Sequence, residues 1–174
     1  TKKTDKDGVA DLGIMLRPGE YILTAYNPVT GEEKGFNITV KSLIVQNDLT
    51  KYYLNASRFQ ATIYNKDGSL AVNKEVTFNI NGVFYTKTTD ENGVASLGIA
   101  LRPGSYIITT IFDGLAMGNN VVVIPTLVTK DLNMKYLDGS DFTAQTLDGQ
   151  GKPLSNQNVS FNVNGVFYHK VTDE

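Results

Sequence analysis

The chain repeats itself, and that constrains it more than any other feature. Residues 4–24 read TDKDGVADLGIMLRPGEYILT, and residues 89–109 read TDENGVASLGIALRPGSYIIT. Gly8, Gly13, Arg17, Pro18, Gly19 and Tyr21 return as Gly93, Gly98, Arg102, Pro103, Gly104 and Tyr106, an offset of 85 residues. A second match covers the other part of the period. VTFNINGVFY at 76–85 returns as VSFNVNGVFY at 159–168, an offset of 83 residues. Upstream, Asp48, Leu49, Tyr53, Leu54, Phe59, Ala61, Gly68 and Asn73 map onto Asp131, Leu132, Tyr136, Leu137, Phe142, Ala144, Gly151 and Asn156. One unit of about 83–85 residues therefore tiles the chain, as in repeat arrays.

The tiling sets the expected domains. Residues 1–41 read as the C-terminal half of one unit, 42–125 as a complete unit and 126–174 as the N-terminal half of the next. Lys170–Glu174 overlap in register with Lys2–Lys6, so the chain is expected to be a window on a longer repetitive polypeptide. Each half alone would expose an apolar sheet face and is expected to be completed by covalent continuation or by another chain.

Inside the unit the period is two. Phe59, Ala61 and Ile63 alternate with Gln60, Thr62 and Tyr64, and Val76, Phe78 and Ile80 with Thr77, Asn79 and Asn81. Ala95, Leu97, Ile99 and Leu101 alternate with small or polar residues in the same way. That is the pattern of half-buried antiparallel strands. Asn81-Gly82, repeated as Asn164-Gly165, supplies the positive φ of a tight hairpin. Pro103-Gly104, like Pro18-Gly19, fixes φ at proline and frees it at glycine. Tyr106 and Tyr21 follow those turns and read as structural tyrosines whose hydroxyls bond back to the backbone. The predicted fold is all-β: tandem immunoglobulin-like β-sandwich repeats.

Composition removes several function classes. There is no cysteine, which excludes disulfides and thiolate metal sites. The net charge of −2 offers no basic field for nucleic acid. No apolar run approaches the roughly 18 residues that span a bilayer, and no leader-like segment opens the sequence. The single histidine, His169, matches Thr86 in the complete unit, so the repeat does not require it. With no base to activate a serine or threonine, the chain is expected not to be an enzyme and to need no cofactor.

The motifs Asn81-Gly82-Val83, Gly93-Val94-Ala95, Leu97-Gly98-Ile99 and Leu101-Arg102-Pro103-Gly104-Ser105-Tyr106, with Asp48–Tyr53 opening the unit, carry a family resemblance. The pattern resembles the bacterial-type immunoglobulin-like repeats of methanogen adhesin-like proteins, across essentially the whole chain. That resemblance implies an extracellular, cell-surface location and use in archaeal stalks or adhesive arrays.

Few residues suggest a ligand. Asp5, Asp7, Asp90 and Asn92 are weak calcium candidates in acidic turns, without the further oxygens a calcium loop needs. Asn37, Asn55 and Asn158 begin glycosylation sequons. Lys51, Lys87, Lys170 and Lys2 are candidates for an isopeptide crosslink, and the commoner reading is a lysine on an exposed strand face. Lys51 does not recur, its counterpart being Met134. Tyr52, Tyr53, Phe112 and Met117 form the one plausible exposed aromatic cluster. The expected role is a structural repeat of a cell-surface stalk or filament, with neighbouring repeats as partners. The alternative is a binding module in which the repeats recognise a glycan or a surface protein.

Overall fold

The computed structural model describes residues 3–173. All of its elements are β-strands, and among the described residues no helix is long and apolar enough to cross a membrane. Lys2, the counterpart of Lys87, and Glu174 lie outside the described residues, as do the two ends of the overlap between 2–6 and 170–174. The chain divides into a first unit, Thr1–Leu43, and a second, Ile44–Glu174.

The first unit is a hairpin. Strands β1 (Gly19–Tyr26) and β2 (Glu33–Val40) pair antiparallel from Gly19↔Val40 to Tyr26↔Glu33. Its inward positions Tyr21, Leu23, Ile38 and Val40 are only half-buried, beside residues 12–16. Leu12 is 58% exposed, whereas its counterpart Leu97 is 4% exposed.

The second unit contains a complete sandwich. One sheet has three strands in the order β3 (Ile44–Gln46), β5 (Arg58–Ile63), β8 (Val94–Gly98). The other has five, in the order β4 (Leu49–Tyr52), β10 (Leu115–Ile124), β9 (Gly104–Phe112), β6 (Glu75–Ile80), β7 (Val83–Thr88). Alternation puts Ile44, Phe59, Ala61, Ile63, Ala95 and Leu97 of one sheet against Val76, Phe78, Ile80, Ile108, Val121 and Val123 of the other. Phe59 and Phe78 meet edge to face with centroids 5.9 Å apart, a favoured aromatic geometry.

The turns follow their chemistry. Asn81 (φ 53°) and Gly82 (φ 74°) join Ile80 to Val83, the two-residue hairpin in which both central residues have positive φ. Asp113 (φ 46°) and Gly114 (φ 75°) make an equivalent hairpin between β9 and β10.

Two features depart from the sequence reading. The alternation through Leu101 outlasts strand β8, which ends at Gly98. The Ile99 carbonyl accepts a hydrogen bond from Lys51 Nζ at 2.8 Å instead of joining the ladder. And β4 pairs parallel with β10, Leu49↔Val121 to Tyr52↔Ile124. Asp48 holds that pairing at its start. It accepts bonds from Asn120 N at 2.9 Å, Asn120 Nδ2 at 3.0 Å and Asn119 Nδ2 at 2.7 Å. These bonds, the Asn120 side chain first, stabilise the carboxylate and hold its pKa below the ordinary value.

Beyond the sandwich, β11 (Leu127–Thr129) pairs with β12 (Ala144–Thr146), and β13 (Asn158–Val163) with β14 (Val166–Val171). Both pairings copy the sandwich at an offset of 83: Leu127↔Thr146 repeats Ile44↔Ile63, and Val163↔Val166 repeats Ile80↔Val83. Phe142 and Phe161 repeat the edge-to-face pair at 5.8 Å.

Candidate functional site

The positions singled out in the sequence are spread over turns and strand starts rather than gathered in a pocket. Tyr106 opens β9 and its hydroxyl donates to the Arg102 carbonyl at 2.7 Å; Tyr21 does the same to Arg17 at 2.8 Å. Pro103 and Pro18 precede the glycines that begin these strands. Gly104 (φ 154°) lies under the tyrosine, where a Cβ would stand 3.3 Å from the hydroxyl. This is a backbone clamp at the corner where the chain crosses between sheets.

The acidic turns are closed on themselves. Asp90 Oδ1 accepts from the backbone N–H of Asn92 and of Val94, both at 2.9 Å. Asp5 Oδ1 accepts from Asp7 and Val9 in the same geometry. The carboxylates thus cap turns. Among the described residues no group of three or more His, Asp or Glu is placed to hold a metal ion.

Of the sequon asparagines, Asn37 is exposed on β2, paired with Ile22, and Asn158 is exposed at the start of β13. Asn55 is half-buried: its Oδ1 accepts from Ser57 N at 2.8 Å, and its Nδ2 donates to the Gly149 carbonyl at 2.6 Å. Asn164-Gly165 turns the β13–β14 hairpin with φ of 51° and 90°.

Two expectations need correction. Lys51 is not on an exposed strand face. It takes an inward position on β4 and is 6% exposed. Its Nζ donates to two main-chain carbonyls, Ser57 at 3.1 Å and Ile99 at 2.8 Å, and burial lowers its pKa below the usual lysine value. The bonded partners are carbonyls, not the carboxamide or carboxylate that an isopeptide bond requires. Lys87 is half-buried on the edge strand β7, and Lys170 is exposed on β14. The second correction concerns the aromatic cluster. Tyr53, just past β4, and Phe112 and Met117 on β9 and β10 pack against the core as its partly buried margin, so they do not form an exposed binding patch with Tyr52.

Sequence reasoning passed over the exposed aromatics that do recur. Val83, Phe84 and Tyr85 on β7, and Val166, Phe167 and Tyr168 on β14, all stand out from the surface. The identical Asn-Gly-Val-Phe-Tyr strings were the available signal. A serine–histidine contact is present as well: Ser160 Oγ lies 2.8 Å from His169 Nδ1 across the β13–β14 hairpin. Both side chains are exposed, and among the described residues no carboxylate is hydrogen-bonded to the imidazole.

Strand order and core define the class: an all-β sandwich. No family model matches the chain, and no curated protein does. Among solved structures it is similar to domains 4–9 of the surface layer protein SbsC, with 14% identity and a TM-score of 0.28 over 99% of this chain and 37% of that one. It is similar also to the S-layer protein rSbsC, with 16% identity and a TM-score of 0.31 over 91% of this chain and 25% of that one. A third likeness is to domains 1–6 of SbsC, with 16% identity and a TM-score of 0.32, over 90% of this chain and 25% of that one. The chain thus spans at most 37% of the length of these structures.

Proposed function

We propose that the chain is a segment of a head-to-tail array of immunoglobulin-like repeats that serves as a non-catalytic structural stalk on an extracellular cell surface. The observation that carries the reading is the reuse of one core. Phe142 is 47% exposed where its counterpart Phe59 is 1% exposed, yet Phe142 and Phe161 keep the edge-to-face geometry of Phe59 and Phe78. The second pair thus keeps the geometry of the buried one, which supports a repeat that further strands of such a polypeptide would complete. The sheet order supports the immunoglobulin-like reading: β3, β5 and β8 stand as strands A, B and E, and β10, β9, β6 and β7 as G, F, C and C′. The corner tyrosines add to it. Two exposed carboxylate turns and a solvent-facing Ser–His pair supply no preorganised site for chemistry.

An antibody raised against residues 42–125 tests the location. It should label intact cells, and labelling confined to permeabilised cells would overturn the reading. A second reading, an adhesive module, is favoured by the recurring exposed Phe84 and Phe167, since aromatics are frequent anchors in recognition. A glycan array probed with residues 42–125 separates the two. Specific binding abolished by Phe84→Ala would establish the adhesive reading.

A further inference from the structure

The sandwich and the segment that follows it touch at a small, chemically specific place. Where β4 ends, Leu54 takes a left-handed conformation (φ 61°) and presents Tyr52 and Asn55. The turn at residues 148–151 of the following repeat sits on them. Asn55 Nδ2 donates to the Gly149 carbonyl at 2.6 Å. A Cβ at Gly149 would stand 3.4 Å from the Asn55 backbone, and a Cβ at Gly151 (φ 79°) would overlap the Tyr52 ring. The contact therefore needs bare backbone at Gly151, while at Gly149 a Cβ would meet only ordinary van der Waals contact. One repeat earlier, the equivalent turn carries Lys66 in place of Gly149, and nothing lies within 4 Å of a Cβ at Gly68.

We propose that Tyr52, Asn55 and the glycine turn at 148–151 form a docking joint that fixes the orientation of one repeat on the next, and that the residue at the Asn55 position decides whether a joint is locked. The inference rests on the repeat organisation proposed above but not on its cellular location. The chain supplies its own contrast. The residue equivalent to Asn55 in the following repeat is Asp138. Its Oδ1 accepts from Ser140 N at 2.9 Å, as Asn55 Oδ1 accepts from Ser57 N, so the local turn is the same. Its other oxygen accepts from Lys135 N at 2.7 Å. These bonds, the one from the Ser140 backbone first, lower its pKa and favour the carboxylate. A carboxylate has no N–H to give a carbonyl. A joint built on Asp138 is unlocked, whereas the joint built on Asn55 is locked.

The chain has no cysteine, so two can be introduced cleanly for spin labels. Glu91→Cys and Lys170→Cys, both exposed, place one label on each side of the joint. Double electron–electron resonance should give one narrow distance distribution. Asn55→Asp keeps the Ser57 turn and removes the donor, and it should broaden the distribution. Gly151→Ala should do likewise, while Gly68→Ala, with the same backbone strain but no contact, should leave it narrow. By NMR the Gly151 α protons should be shifted upfield of those of Gly68 by the Tyr52 ring, and Tyr52→Leu should remove the difference. A broad distribution in the parent chain, a narrow one that survives Asn55→Asp, or equal shifts at the two glycines would overturn the proposal. None of these results bears on cell-surface labelling, so the two readings fail separately.

Discussion

At the scale of single residues the inward and outward faces carry most of the energy. Phe78 is fully buried against Phe59, and truncation leaves a cavity that close packing cannot refill. Phe78→Ala is expected to cost about 3–5 kcal/mol. Thr77, its neighbour on the opposite face, should cost under about 0.5 kcal/mol as Thr77→Ala. Urea denaturation measures both, and equal losses would mean the faces are wrongly assigned. Lys51 is the residue where face and chemistry conflict. Its folded pKa is depressed by burial, so between that value and the ordinary lysine value of about 10.4 the unfolded chain binds the extra proton. Stability should therefore rise with pH across that window and stay flat below it, where both states are protonated. Lys51→Met, the residue the next repeat carries at Met134, should abolish the rise. Urea midpoints measured from neutral pH to pH of about 10.5 decide it; equal slopes in the two proteins would refute the burial account. The facing of Phe78 was legible because alternation around it is unbroken. The burial of Lys51 was not, because a charge at an inward position contradicts the pattern and only the Ser57 and Ile99 carbonyls explain it.

At the scale of elements, turns were easier to read than pairings. Asn81-Gly82 demands positive φ locally, so its residues announce the hairpin. Gly82→Ala, at φ 74° and with open space around it, should cost about 1–2 kcal/mol from backbone strain alone. Thermal unfolding checks this, and an unchanged midpoint would mean that the turn is not held in that conformation. The parallel pairing of β4 with β10 had no comparable signal. Its determinant, Asp48 with Asn119 and Asn120, joins residues 71 and 72 positions apart. Asp113-Gly114 is a hairpin of the ordinary kind that the strand reading stopped short of. The Tyr52–Gly151 contact was illegible for a different reason: its glycines look like loop filler until the preceding repeat is seen to press on them.

At the scale of the whole molecule the central claim is that the front segment and the back segment are two parts of one repeated sandwich. Leu12 and Ile14 in residues 1–41, and Leu127, Phe142 and Val163 in residues 126–174, are exposed where Leu97, Ile99, Ile44, Phe59 and Ile80 are buried. Exposed apolar faces of this kind call for a cover. Asp173 and Asp5 both correspond to Asp90, so a single chain can run from residues 126–173 directly into residues 6–41 and keep the repeat in register. Hydrogen exchange on that joined chain is the most direct test. The account expects a monomer that unfolds cooperatively, with the amides of β13 and β1 protected to the same free energy as each other, as their counterparts β6 and β9 are in one sheet. A chain in which the two segments exchange independently, or in which neither is protected, would contradict it.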